Sequence, residues 1–141
     1  NIHLIIRIRE DEECSLETLK NLLPKANNCT IKIEGSFEDD LDKADMLISY
    51  SSTAIEEALY ARKPIALFGG SLRYRHFSGS TVSPKNNQRS AVYHLDNKNL
   101  SSMIKTIMHK HSNKSLTDQE IEEYIWPNSI PGSNSFISKL F

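Results

Sequence analysis

The sequence predicts an α/β fold, a three-layer sandwich in which helices cover both faces of a mainly parallel sheet of about five strands. Short apolar, β-branched segments alternate with amphipathic segments along the chain. The strand segments are apolar on both faces, as is typical of parallel strands that are covered from two sides. A length of 141 residues suits one domain, residues 1–141, with a single hydrophobic core.

The first part of the chain contains three predicted strands, which are His3–Ile8, Cys29–Ile33 and Met46–Ile48. Two helices are expected between them. Ser15 is placed to cap the first, whose leucines share one face and which ends near Pro24. The second covers the acidic residues 36–43, where Phe37 and Leu41 are four residues apart.

The second part continues the same alternation. A helix is predicted from Ser51-Ser52-Thr53 to Arg62, and strands are predicted at Pro64–Phe68 and Ala91–Leu95. A helix capped by Asp96 or Asn97 follows, and then a short helix with a capping box of Thr117 and Glu120. An amphipathic segment at 133–141 closes the chain. Residues 71–90 lack an apolar period and predict a long functional or mobile loop. The repeated βα order predicts a Rossmann-like domain.

Composition excludes several classes of protein. A net charge of −1 gives no electrostatic basis for nucleic-acid binding. No apolar run approaches the roughly 20 residues that cross a bilayer, so we expect a cytoplasmic protein that could associate peripherally with the inner face of the membrane. Cys14 and Cys29 are expected to be reduced, half-buried thiols. The chain begins at Asn1 and enters a strand at once, which suggests a fragment of a longer protein.

The turn after the third strand carries the clearest chemical signal. Ser51, Ser52 and Thr53 are small hydroxyl residues between a strand and a helix, where backbone N–H groups favour a phosphate. In open α/β sheets, ligands bind at the carboxyl ends of the strands, and this turn follows such an end. Glu57 lies one turn along the helix and could accept both hydroxyls of a ribose. A plain helix cap with solvated Glu56 and Glu57 explains the same residues.

The segment Ala44–Ile65 resembles the donor-site motif of GT-B-type glycosyltransferases. It has an aspartate before an apolar strand, a small-residue turn, an acidic residue and a strand led by proline. In these families the ribose-binding carboxylate precedes that proline by seven residues, and Glu57 stands in that position relative to Pro64. The Ser-Ser-Thr-Ala turn is similar to that of lipid-A-disaccharide synthase. Residues 63–69 resemble the Kdo-transferase version, and residues 48–52 are similar to CDP-glycerol glycerophosphotransferases.

Two departures from these families bear on mechanism and on the phosphate site. Retaining members carry a glutamate eight residues before the ribose carboxylate, where this chain has Ser49, so an inverting transfer is favoured. Related polysaccharide enzymes place a basic residue and His-Pro after an early strand, where this chain has Arg7 and Arg9. Both arginines are candidate diphosphate ligands, with edge charges of no function as the alternative. Arg75 in the loop is a further candidate, because guanidinium groups suit phosphate.

The resemblance implies the donor-binding half of a GT-B-type glycosyltransferase, or of a glycerophosphotransferase-like enzyme, in surface polysaccharide or glycolipid biosynthesis. The substrate would be a UDP- or CDP-linked donor, without a cofactor or metal. A saccharide or lipid-linked acceptor and the catalytic base would belong to a missing N-terminal domain, so the isolated domain is expected to be inactive. A nucleotide-sugar 2-epimerase and a non-enzymatic nucleotide- or protein-binding module are the alternatives.

The remaining polar residues predict no further site. His3, His94, His109 and His111 lack metal-ligand spacing and are interpreted as incidental. A solvated acidic helix is favoured over a metal site for the carboxylates Glu38, Asp39, Asp40 and Asp42.

Overall fold

The computed structural model describes residues 2–8, 15–23, 27–50, 53–68, 79–83, 87–122 and 124. Within them the element order is β1 (Leu4–Arg7), α1 (Leu16–Leu22), β2 (Cys29–Lys32), α2 (Phe37–Lys43), β3 (Leu47–Ser49), α3 (Ala54–Tyr60), β4 (Ile65–Phe68), β5 (Ser80–Thr81), β6 (Val92–Leu95), α4 (Leu100–Lys110) and α5 (Asp118–Ile121). The predicted alternation of strands and helices is confirmed in these ranges.

All strand pairs in the described residues are parallel, as predicted. β1 pairs with β2 in a two-stranded sheet, and the other strands form a four-stranded sheet in the order β3-β4-β6-β5. The strands are therefore divided between two sheets, whereas the sequence predicted about five in one. The chain correspondingly separates into two compact units, Asn1–Asp40 and Leu41–Phe141.

The first unit is held together by the backbone pairing of β1 with β2 and by the ion pairs of Asp40 with Arg7 and Lys32. The β1–β2 register runs from Leu4 opposite Cys29 to Arg7 opposite Lys32. Ser15 caps α1 as predicted, since its side chain accepts a hydrogen bond from the Thr18 backbone N–H. No residue of α1 is buried. The Cys29 thiol is unpaired and half-buried, as predicted, whereas Cys14 lies outside the described residues.

The second unit contains the hydrophobic core. β4 lies between β3 and β6, and its residues Ile65 and Ala66 are fully buried. Side chains alternate between the two faces of a strand, so Ala66, Tyr93 and Leu95 share one face. Ile107 of α4 packs on that face, joined by Leu100, Met103 and Ile104. Spacings of three and four residues place these α4 positions on one stripe, as the sequence predicted.

α3 is the connection between the parallel strands β3 and β4. Its buried residues Ile55, Ala58 and Leu59 recur at three and four residues, which is the apolar face expected from the sequence. After α3 the backbone turns at Arg62, which has a φ of 58°. The Lys63 backbone N–H donates to the Ala58 carbonyl, which closes this turn and leads into β4.

Several predicted boundaries were wrong, for local reasons. α4 begins at Leu100 with Asn99 as its N-cap, and neither Asp96 nor Asn97 has that role. The Asp96 carboxylate instead accepts from the Lys98 N–H at 3.1 Å, which forms a turn before the helix. β5 was not predicted at all. The segment predicted at 133–141 lies outside the described residues.

Two arginines connect distant parts of the second unit. Arg62 donates from Nη1 to the Leu116 carbonyl at 2.9 Å and pairs through Nη2 with Asp118 at 2.5 Å. Its carbonyl in turn accepts the Leu116 N–H. Arg89 pairs with Glu120 of α5, whose predicted capping box with Thr117 is confirmed. No helix in the described part of the chain is both long and apolar enough to span a membrane.

Candidate functional site

The carboxyl ends of β3 and β4 form the sheet edge at which the sequence placed the ligand site. Ser49 ends β3 opposite Leu67 of β4, and both strands run in the same direction. Tyr50 follows β3 and is 64% exposed, and its ring packs edge-on against Phe68 with the centroids 5.0 Å apart. Sequence reasoning gave Tyr50 no role, although its place directly after a strand was a signal. The edge therefore offers an exposed aromatic surface.

Thr53 and Glu57 are brought to one side of α3. Helical residues advance by about 100° each, so residues 53 and 57 differ by about 40° around the axis. Both are exposed, while Ile55 and Leu59 on the other side are buried. Tyr60 lies next to Glu57 on the same side and is 67% exposed. The carboxylate predicted to bind ribose is thus open to solvent and has an aromatic neighbour.

Thr53, the N-cap residue of α3, does not cap the helix with its side chain. Thr53 has helical dihedral angles, φ −56° and ψ −21°, and its side chain makes no capping hydrogen bond. Its carbonyl accepts the N–H groups of Glu56 and Glu57, at 3.0 and 3.4 Å. Ser51 and Ser52, predicted to bind diphosphate, lie outside the described residues, so their part in the turn stays a prediction.

Arg7, a predicted diphosphate ligand, already has an internal partner. Its Nη1 lies 2.5 Å from the Asp40 carboxylate, and the guanidinium also donates to the carbonyls of Gly35 and Ser36. Lys32 pairs with the other oxygen of Asp40. These hydrogen bonds, with Lys32 as the stronger cause, hold the pKa of the Asp40 carboxyl below its usual value. Two cations thus share one buried carboxylate at the carboxyl ends of β1 and β2.

The remaining predicted phosphate ligands, Arg9 and Arg75, lie outside the described residues. Parts of the predicted loop 71–90 are described and are anchored. The Gly79 N–H donates to Nε2 of His94 at 3.0 Å, beside the pairing of β5 with β6. Arg89 of this segment donates from Nη2 to the Ser115 carbonyl at 2.8 Å, and its Nε lies 2.9 Å from the Glu120 carboxylate.

A buried polar cluster was missed by sequence reasoning. Tyr93 Oη lies 2.9 Å from His111 Nε2 and accepts the Ser90 backbone N–H at 2.9 Å. Burial, followed by the positive charge of Arg89, lowers the pKa of His111 to about 4. Burial likewise raises the pKa of Tyr93. His111 was interpreted as incidental, yet it is 7% exposed and continues the apolar stripe of α4 four residues beyond Ile107.

The acidic residues of α2 take on different surroundings. Asp40 is buried between Arg7 and Lys32, whereas Glu38, Asp39 and Asp42 are exposed. Among the described residues, no group of three or more histidine, cysteine or carboxylate side chains is arranged to hold a metal ion. The Asp40 oxygens are occupied by cationic side chains of the chain itself.

The groups at α3 and after β3 can bind a ligand. The exposed ring of Tyr50 follows β3, and α3 carries the exposed Glu57 and, at its C-terminal end, the exposed ring of Tyr60. A carboxylate of this kind accepts hydrogen bonds from hydroxyl groups, and aromatic rings stack on a base or a sugar. No family model, curated protein or solved structure matches the chain.

Proposed function

We propose that this chain is the donor-binding half of a GT-B-type glycosyltransferase or glycerophosphotransferase-like enzyme, built as one Rossmann-like three-layer domain. It would act in the biosynthesis of a surface polysaccharide or glycolipid. The observation that carries the proposal is the exposed Glu57 on the connection between two parallel strands, seven residues before the buried Pro64. In the families that the segment Ala44–Ile65 resembles, the carboxylate at this position binds the ribose of the donor.

The physical setting of Glu57 supports this role. Pro64 precedes β4, and its carbonyl accepts the Leu47 N–H at 3.0 Å, so the proline is fixed against β3. α3 is fixed in turn by the burial of Ile55 and Leu59. The backbone that carries Glu57 is therefore ordered before a ligand binds, and only the side chain loses freedom on binding. From this position the carboxylate would accept two ribose hydroxyls at once.

The diphosphate of the donor would lie at the turn of Ser51, Ser52 and Thr53. Small side chains there allow a close approach to the backbone, and hydroxyl and N–H groups can donate to phosphate oxygens. Such donors stabilise the charge that develops on the departing nucleotide when the sugar or glycerol phosphate is transferred. Tyr50 and Tyr60 offer rings for the base or the sugar. The acceptor and the catalytic base would come from a second domain.

Titration with nucleotides tests the proposal. UDP, CDP and GDP are added to the ¹⁵N-labelled chain and to its Glu57→Ala and Glu56→Ala variants. We expect weak binding of UDP or CDP, with amide shifts centred on residues 51–57. Glu57→Ala should weaken it by roughly 1.5–3 kcal/mol, about ten- to a hundredfold, because hydrogen bonds to a charged group are lost.

Glu56→Ala is the matched control. It removes the same charge from a neighbouring exposed position that points about 100° away, and it should weaken binding by less than about threefold. Equal losses in the two variants would show that general charge and not a ribose contact is responsible. An absence of shifts at millimolar nucleotide would refute the proposal.

A further inference from the structure

Positive charge predominates in residues 58–116 of a chain whose net charge is −1, because these residues contain ten lysines and arginines and one carboxylate, that of Asp96. Within them, residues 97–116 contain the four lysines Lys98, Lys105, Lys110 and Lys114 and no aspartate or glutamate. Before residue 58 acidic residues predominate, as in α2, where four carboxylates share a segment with Lys43. The lysine-rich stretch includes α4 and the turns on either side of it.

Two of these lysines, Lys105 and Lys110 of α4, line a groove. The apolar side of α4 packs on the core through Met103, Ile104 and Ile107. The groove of about 560 Å³ lies on the opposite, polar side, between the helix and the segment that begins at Asn87. Its lining groups that can contact a ligand are Asn87, Ser101, Ser102, Lys105, Thr106 and Lys110.

The lining of the groove consists of hydrogen-bond donors without a carboxylate. His109 completes it, so that it contains two ammonium groups, one imidazole, one amide and three hydroxyls. The Thr106 hydroxyl already donates to the Ser102 carbonyl at 2.9 Å, so the other groups supply the donors for a ligand. This set of groups matches the requirements of a phosphate, which has several acceptor oxygens and a negative charge.

Neither groove lysine forms an ion pair with another residue in the described part of the chain. Ion pairs between described residues use Arg7, Lys32, Arg62 and Arg89, and neither Lys105 nor Lys110 takes part in one. Lys110 donates to the Gln88 carbonyl at 3.2 Å and lies 6.0 Å from the centre of the Tyr93 ring. An ammonium group has three donors, so a carbonyl contact leaves further donors for a ligand.

We propose that this groove on the outer side of α4 binds a phosphate group, carried by a small phosphate ester or by the head group of an anionic lipid. The large apolar side chains of α4 pack on the core, so the ammonium groups of Lys105 and Lys110 are the charged groups in the groove that would contact the phosphate. This site is separate from the donor site at α3 and does not depend on it.

Two kinds of probe distinguish the sources of the phosphate. Inorganic phosphate and glycerol 3-phosphate are titrated into the ¹⁵N-labelled chain, and phosphatidylcholine vesicles with and without phosphatidylglycerol are used in flotation. We expect amide shifts at residues 101–110 or flotation that requires the anionic lipid. Lys105→Gln should weaken the binding by about tenfold, since a charge-assisted hydrogen bond is lost.

Lys98→Gln serves as the control. Lys98 lies in the same basic stretch but outside the groove lining, so its loss should change affinity by less than about twofold if the groove is a discrete site. Amide shifts centred on residues 101–110, and not on residues 51–57, separate this site from the donor site. Shifts with soluble esters would indicate a small-molecule site, and lipid-dependent flotation without such shifts would indicate a head-group site. Equal losses for Lys98→Gln and Lys105→Gln, or no binding of any probe at millimolar phosphate, would overturn the proposal.

Discussion

Lowering the pH from 7 to 4 should destabilise the second unit through the single imidazole of His111. This ring is 7% exposed and contacts the buried Tyr93 hydroxyl. Burial and the nearby Arg89 charge keep its pKa at about 4 in the folded chain. In the unfolded chain the same imidazole would have an ordinary pKa of about 6.5. The unfolded state therefore takes up this proton at a higher pH than the folded state does.

The sign and size of the effect follow from that difference. Stability is fully present above about pH 6.5, falls as the pH drops towards 4, and changes no further through this group below 4. The difference between the two pKa values corresponds to at most about 3 kcal/mol. The surrounding structure can relax around a protonated ring, which offsets part of this cost. We therefore expect a loss of about 1–2 kcal/mol in the free energy of unfolding.

Urea denaturation at half-unit steps between pH 7.5 and 4 measures this loss. The wild-type chain is compared with His111→Gln, which keeps an acceptor for the Tyr93 hydroxyl but cannot be protonated. His109→Gln is the matched control, because it removes an exposed imidazole two residues away. We expect the pH dependence to flatten in His111→Gln and to persist in His109→Gln. The same slope in His111→Gln as in the wild type would refute the assignment of the proton uptake to His111.

Two further predictions concern local contacts. A Cβ at Gly79 would lie 2.6 Å from the His94 ring, so Gly79→Ala should displace that ring and cost about 1 kcal/mol through the lost hydrogen bond. Urea denaturation should show little added cost of Gly79→Ala in a His94→Ala background, and full additivity would contradict the contact. Thr117→Ala should destabilise the chain by about 1 kcal/mol because the capping box of α5 is lost, whereas Thr117→Ser should restore most of it. Equal destabilisation by both substitutions would show that the hydroxyl is not the cause.

The elements that the sequence predicted well are those with a local cause. α1, α3 and the capping box at Thr117 depend on caps and apolar spacing that lie within a few residues. β5 could not be found in this way. Ser80 and Thr81 are polar and exposed, and they form a strand because Tyr93 and His94 pair with them. The strand exists only through a partner more than ten residues away in sequence.

In the candidate site, too, features with a local cause could be predicted, and contacts between residues far apart in sequence could not. Exposure of Glu57 could be predicted, because Ile55, Ala58 and Leu59 define the buried side of α3. The pairing of Arg7 with Asp40 could not be predicted, because 33 residues separate them in sequence. For His111 a signal was present but unused, as the apolar stripe of α4 runs on to that position. Its partner Tyr93 lies on another element and was not evident from spacing.

The two arginines that reach residues 114–120 join segments of the second unit that lie far apart in sequence. Arg62 contacts Leu116 and Asp118 across 54 and 56 residues, and Arg89 contacts Glu120 across 31. Leu116 is itself buried at 2% exposure. Contacts of such long separation slow folding, because a large loop must close before they form. During synthesis the unit would therefore stay incomplete until α5 has left the ribosome, although its strands are made much earlier.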